Sequence, residues 1–155
     1  MTNKLGMEKF KRPPDMLSKS LPPQYKLGTI CHEDIDLIVS YWEPATYEDL
    51  KELMKHFITS YPNAAVYDTM REPAQPVSWV VSSGMGILYH LYTMEEYRGK
   101  GFGMAVVQEL TQKLLTKEIS PVTYIRADKT KSQNVFIKCG YVKMNISSDV
   151  VFSYC

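Results

Sequence analysis

The sequence predicts an α/β (α+β) domain built on one mixed, mostly antiparallel sheet with helices on its faces. Three observations carry that expectation. The chain has 155 residues, 45% of them apolar and 23% charged, which fits one ordinary globular domain with a single core. Its apolar spacing passes from a helical period to strand-like runs and back again along the chain. A glycine-rich loop stands where one of those runs hands over to an amphipathic helix.

Residues 1–24 read as a mobile basic N-terminal segment, punctuated by Pro13-Pro14 and Pro22-Pro23, and the domain proper as 25–155. From Glu33 to Trp42, the apolar residues Ile35, Ile38, Val39 and Trp42 fall at spacings of three and four, the face of a short helix that Glu43-Pro44 stops. Thr46 with Asp49 forms a capping-box variant, and Leu50, Leu53, Met54, Phe57 and Ile58 make one stripe of a second helix ending before Pro62. Runs rich in β-branched and aromatic residues follow, from Ala64 to Tyr67, Val77 to Ser82 and Ile87 to Thr93. Ser83-Gly84-Met85-Gly86 is turn chemistry, so the last two runs form an antiparallel hairpin. Val106, Val107, Leu110 and Leu114 line a third helix, closed by Pro121. A strand from Val122 to Ala127, a short helix from Lys131 to Cys139 ending at Gly140, and strands at Tyr141 to Asn145 and Val150 to Tyr154 complete the order. No repeat is visible. Alternating helices and strands of this kind make a layered domain.

Charge and cysteine content narrow the function. The net charge of +1 argues against nucleic acid, and the basic excess sits in Met1 to Lys26, with six basic and two acidic residues. Cys31, Cys139 and Cys155 are odd in number and lack Cys-x-x-Cys spacing, and His32 and His56 lack a metal-like spacing, so neither a disulfide framework nor a metal site is expected. No apolar stretch approaches a membrane span and no signal peptide is evident. The expected location is cytoplasmic, with a mitochondrial address as the alternative.

The chemistry concentrates in Tyr97-Arg98-Gly99-Lys100-Gly101-Phe102-Gly103-Met104. Three alternate glycines let the backbone approach a ligand closely and adopt dihedrals that side chains forbid. Their N–H groups, with the first-turn donors of the following helix, make a site for phosphate or pyrophosphate, to which Arg98 and Lys100 add charge. The P-loop needs Ser or Thr after Gly-Lys, and Gly101 stands there instead. The dinucleotide fingerprint fails as well, because the third glycine comes one residue early.

The pattern Arg-x-x-Gly-x-Gly resembles the GNAT superfamily of acyl-coenzyme A N-acyltransferases. Leu21-Pro22-Pro23, Trp42, Ser60-Tyr61-Pro62, Pro76-Val77-Ser78-Trp79 and Glu96-Tyr97-Arg98 look like the C-terminal domain of glycine N-acyltransferases, a resemblance running from about Leu21 to Asn145. The resemblance implies a GNAT fold whose sheet splays at the cofactor site, with acyl-coenzyme A or acetyl-coenzyme A as co-substrate and no metal. It implies that Leu91, Tyr92 and Thr93 offer main-chain groups to the pantetheine and acyl carbonyl, that Arg98, Gly99, Lys100, Gly101, Phe102, Gly103 and Met104 hold the pyrophosphate, and that Asn134 on the late helix completes the site. The implied reaction is direct attack by a primary amine, glycine or another small amino acid, in a ternary complex. The rivals are an acyl-coenzyme A binding domain without turnover and an acetyltransferase of protein amines. The expected partner is a small-molecule amine, with no nucleic acid or membrane, in a monomer or homodimer.

The sequence departs from that family at the proton-handling positions. Glycine N-acyltransferases are roughly twice as long. Register from Arg98 puts Ile87 where the family's proposed basic Glu would lie, and Phe136 stands four residues before Gly140, where other GNAT enzymes carry an acidic Tyr. Tyr89 and His90 are the remaining candidates for catalytic roles. Strand alternation sends them to opposite faces unless a bulge intervenes, with Tyr89 sharing the parity of Ile87. Tyr89 has an unperturbed pKa near 10, so its expected task is to orient water and substrate, with His90 as the alternative base. Cys139 reads as a small buried hydrophobe, and Trp42, Trp79 and Tyr61 as core anchors, although Trp79 or Tyr92 would also suit the wall of an acyl tunnel.

Overall fold

The structure, a computed structural model, describes residues 21–42, 47–146 and 149–154. The capping residue expected at Thr46 and the first 20 residues of the expected N-terminal segment lie outside them. Residues 21–24 do not fit a mobile segment: Tyr25 N–H donates to the Pro22 carbonyl at 2.9 Å, closing a turn, and Leu21 packs on the core.

Seven strands form one sheet in the order β1-β2-β3-β4-β5-β7-β6. The strands are β1 (Tyr25–Gly28), β2 (Asn63–Asp68), β3 (Gln75–Ser82), β4 (Ile87–Thr93), β5 (Val122–Arg126), β6 (Tyr141–Ile146) and β7 (Asp149–Tyr154). The helices are α1 (Ile35–Ser40), α2 (Glu48–Ser60), α3 (Phe102–Thr116) and α4 (Thr130–Lys138), with 3-10 turns at His32–Asp34 and Glu95–Tyr97. All pairings are antiparallel except β4 with β5. The hairpin expected around Ser83 to Gly86 is the β3–β4 connection. The first predicted helix is divided, its beginning wound as a 3-10 turn, and α2 is entered from Tyr47 in extended conformation with no side-chain cap.

The core lies where the helices cover the sheet. Every residue of β2 is buried, as is β3 beyond Gln75, which a strand achieves only when both of its faces are covered. Ser78 pairs with Thr93, on the side where Gly103 of α3 approaches Thr93, while Trp79 pairs with Tyr92, on the side of Tyr41 at the end of α1. Adjacent residues point oppositely, so α3 and the α1–α2 pair cover opposite faces. Trp79, Phe102, Phe152, Ile38, Met54 and Leu110 are among the largest fully buried side chains.

Two irregularities open the sheet where β4 runs. The register between β3 and β4 shifts between Trp79 and Val81, and His90 opposite the shift has φ 52°, so β4 carries a bulge there. The parallel pairing of β4 to β5 covers only Ile87 with Val122 and Leu88 with Thr123. Beyond Leu88 the two strands part, and β5 continues as the partner of β7 along its whole length.

Candidate active site

The part of β4 that leaves β5 leads into the glycine loop. Between them the Glu95–Tyr97 turn reverses the chain, with Met94 N–H donating to the Val77 carbonyl at 2.8 Å. Gly99 and Gly101 both lie in the left-handed region, at φ 78° and 83°, and Gly101 is the N-cap of α3. A Cβ added at either position would meet no atom within 4 Å, so open space lies beside the loop. Gly99, Lys100 and Gly101 are exposed, and the orphan N–H groups of the first turn of α3 follow directly. Arg98 folds back, its Nε donating to the Thr93 carbonyl at 2.9 Å and its guanidinium lying 5.5 Å from the centre of the Tyr92 ring. The Thr93 carbonyl is therefore engaged by Arg98. Phe102 is buried, Met104 packs on the core, and Gly103 faces Thr93 and Val135 at 3.8 and 3.9 Å from an added Cβ. Val135 brings α4 beside the start of α3, with its neighbour Asn134 exposed.

The bulge changes where the catalytic candidates point. Trp79 and Val81 share a face of β3 and stand opposite Tyr92 and Tyr89, so those two tyrosines share a face although they are three positions apart. The Tyr89 ring stacks on Phe57 of α2 at 5.6 Å and 15°. His90 also reaches this side, its Nε2 lying 2.8 Å from the Ile38 carbonyl of α1, which fixes Nε2 as the protonated nitrogen. The separation of Tyr89 from His90 that alternation requires is thus cancelled by the inserted residue.

Burial governs the protonation of both. Desolvation lowers the His90 pKa to about 4, against the smaller opposing effect of its bond to Ile38. At neutral pH the ring is uncharged, packed against both Trp79 at 5.8 Å and Tyr92 at 6.2 Å. Desolvation, and then the neighbouring Tyr124 phenol, raise the Tyr89 pKa, so its hydroxyl stays protonated. Cys139 is buried, its thiol pushed up to about 12 by desolvation, which makes it inert. Phe136 is buried between Tyr141 at 5.0 Å and Phe152 at 6.4 Å. The indole N–H of Trp79 is buried without an acceptor.

Sequence reasoning missed Phe57 and Tyr124 beside Tyr89, and Tyr25 beneath the loop. These contacts join distant segments, and only the aromatic character of the residues could have hinted at them. Among the described residues no group of His, Cys, Asp and Glu could hold a metal, and no helix is long and apolar enough to cross a membrane.

A sheet splayed beside a glycine loop at a helix N-terminus defines the GNAT architecture, and solved structures share it. The Arabidopsis thaliana NAA60 in complex with a bisubstrate analogue aligns with TM-score 0.64 at 12% identity over 84% of this chain and 97% of its own. The PaiA N-acetyltransferase of Thermoplasma acidophilum, in complex with coenzyme A, aligns with TM-score 0.64 at 13% identity over 84% and 98%. A Drosophila protein aligns with TM-score 0.75 at 15% identity over 96% of this chain, which spans only 47% of that protein's length. At these identities the likeness is one of fold. The chain belongs to the FR47-like protein family, whose family model matches residues 67–149, from the end of β2 to the start of β7.

Proposed function

We propose that the chain is an acyl-coenzyme A-dependent N-acyltransferase that transfers the acyl group directly to a primary amine, glycine or another small amino acid. The observation that carries this reading is the parting of β4 from β5 immediately before a loop of exposed, left-handed glycines. The residues present fit such a donor: open space beside Gly99 and Gly101 admits a pyrophosphate, the α3 N-terminus supplies oriented donors, and Arg98 and Lys100 add charge.

The donor supplies an acyl group already activated as a thioester. The chain's residues position it and lower the barrier. Main-chain groups of Leu91 and Tyr92, beyond the pairing of β4 with β5, would hold the pantetheine arm, and an N–H there would stabilise the developing oxyanion. Asn134 closes the site from α4. Holding both substrates at once supplies proximity without a covalent enzyme. Tyr89 orients the amine or a water that takes its proton, since its own phenol stays protonated. His90, uncharged and bonded to Ile38, positions the bulge against α1. Cytoplasmic location, action on a small-molecule amine and a monomeric or dimeric state belong to the same proposal.

A second reading, acyl-coenzyme A binding without transfer, is favoured by one observation: Ile87 and Phe136 occupy the expected base and acid positions, and His90 is a poor base. The separating experiment is thiol release from a panel of acyl-coenzyme A donors crossed with free amino acids and a peptide mixture. Thiol release that requires glycine or a small amino acid supports the proposal. Release with peptides alone moves the acceptor to protein amines, and tight donor binding with no release establishes the second reading.

A further inference from the structure

The glycine loop is fastened at both ends and free in the middle. Nothing lies within 4 Å of a Cβ built on Gly99 or Gly101, and the residues between Arg98 and Phe102 are exposed. Glycines in such a setting lose more backbone freedom on ordering than any other residue, so the loop's shape must be imposed from its ends. Those ends are Tyr97, 8% exposed, and Phe102, 2% exposed. Both rest on one side chain from the far edge of the sheet. The ring of Tyr25 in β1 meets Tyr97 edge-on at 6.3 Å and 89°, and lies 4.6 Å from Phe102.

A hydrogen-bond chain fixes the same point. The Tyr97 hydroxyl donates to Asp68 Oδ2 at 2.8 Å and accepts from Arg71 Nε at 3.2 Å. Asp68 is 5% exposed, and its Oδ1 accepts from the Met70 N–H at 3.0 Å. Asp68 also pairs with Tyr25 across β1 and β2, so the ring support and the hydroxyl anchor start from one pair of facing residues.

We propose that Tyr25, Tyr97 and Asp68 form a clasp that positions the loop's N–H groups for the pyrophosphate of coenzyme A. They are positioning residues, acting through residues 98–101, and the proposal rests on the coenzyme A reading of that loop. It differs from a general packing role in what it predicts for ligands. A packing defect weakens every ligand of the fold, whereas a loosened clasp weakens only ligands that carry the pyrophosphate.

The test compares coenzyme A, titrated by calorimetry, with pantetheine, which lacks the pyrophosphate, titrated by NMR, on wild type, Tyr25→Leu, Tyr97→Phe and Tyr25→Phe. Melting temperatures are taken in parallel. Because preorganisation lowers the ordering cost of binding, Tyr25→Leu should lose about tenfold in coenzyme A affinity and Tyr97→Phe about threefold or more, with pantetheine affinity held within about twofold. Tyr25→Phe keeps both ring contacts and should bind like wild type. Equal losses for the two ligands, or unchanged coenzyme A affinity in both Tyr25→Leu and Tyr97→Phe, overturn the clasp. If Tyr25→Leu does not fold, the milder Tyr97→Phe decides alone. A wild-type chain that binds no coenzyme A overturns the reading of the loop itself, and with it the ligand role of the clasp.

Discussion

Gly101 and Lys100 are neighbours in the loop with unequal claims on it. Gly101 holds φ 83° as the N-cap of α3, a conformation that costs an L-residue about 1–2 kcal/mol and a β-branched one more. Lys100 is one exposed charge, screened by salt and solvent. Gly101→Val should therefore weaken coenzyme A binding by about tenfold or more, and Lys100→Ala by about threefold or less, by calorimetric titration. Gly103→Val acts differently, crowding Thr93 and Val135 rather than straining the backbone, whereas Gly103→Ala fits the 3.8 Å space available. His90 supplies a prediction in pH. Its pKa falls from 6.5 to about 4 on burial, so between those values the unfolded chain binds more protons than the folded one. The stability associated with the uncharged ring is complete above pH 6.5 and is lost as pH falls toward 4, up to about 3 kcal/mol. His90→Gln keeps a donor for the Ile38 carbonyl and removes the titration. Urea denaturation should show wild type losing more stability than His90→Gln between pH 7 and 4, and parallel losses would place the proton elsewhere.

Elements meet at Asn63, the first residue of β2. Its Oδ1 accepts from the Ile30 N–H at 2.8 Å, its Nδ2 donates to the Ile58 carbonyl at 3.1 Å, and its own carbonyl accepts from Lys113 at 2.7 Å. One side chain thereby ties the segment after β1 to the end of α2, and its carbonyl ties β2 to α3. Asn63→Leu would strand a buried N–H and a buried C=O, at about 2–4 kcal/mol by urea denaturation, with little direct effect on ligand affinity. Such ties explain which elements were legible. The run from Ile87 to Thr93 was readable because hydrophobic β-branched and aromatic residues between turn residues signal a strand locally, and α3 because its stripe recurs over four turns. The four-residue β1 was not readable, since its partner lies some forty residues away and Lys26 and Leu27 face solvent. The bulge escaped for a related reason: a His in the left-handed region leaves no glycine to mark it. The loop was legible as chemistry, and its supports were not, because Tyr25 and Asp68 reach it only through the folded sheet.

At the scale of the molecule, one strand of the single sheet has two unequal pairings. β4 follows β3 through a bulge to Thr93 but follows β5 only to Leu88, so the domain is continuous on one side of β4 and open on the other. Closing that gap would extend the pairing of β4 with β5 past Leu88 and fill the site, so the opening is where fold stability yields to binding. The aromatic residues on the α1–α2 side take up part of the loss, with Trp79 stacked on Tyr92 at 5.4 Å and Tyr89 on Phe57. That packing decides the proton chemistry. His90 is held uncharged and Tyr89 protonated, so neither supplies a base that titrates near neutrality. The rate of acyl transfer should then rise with pH as free amine becomes available, following the acceptor's own pKa across a series of amines. Tyr89→Phe should lower the rate by about tenfold to a hundredfold without moving that profile, because it removes an orienting hydroxyl and not a base. His90→Gln should leave the profile in place as well. A rate limb near pH 6.5 that disappears in His90→Gln would require His90 to be solvated during turnover and would make it the base.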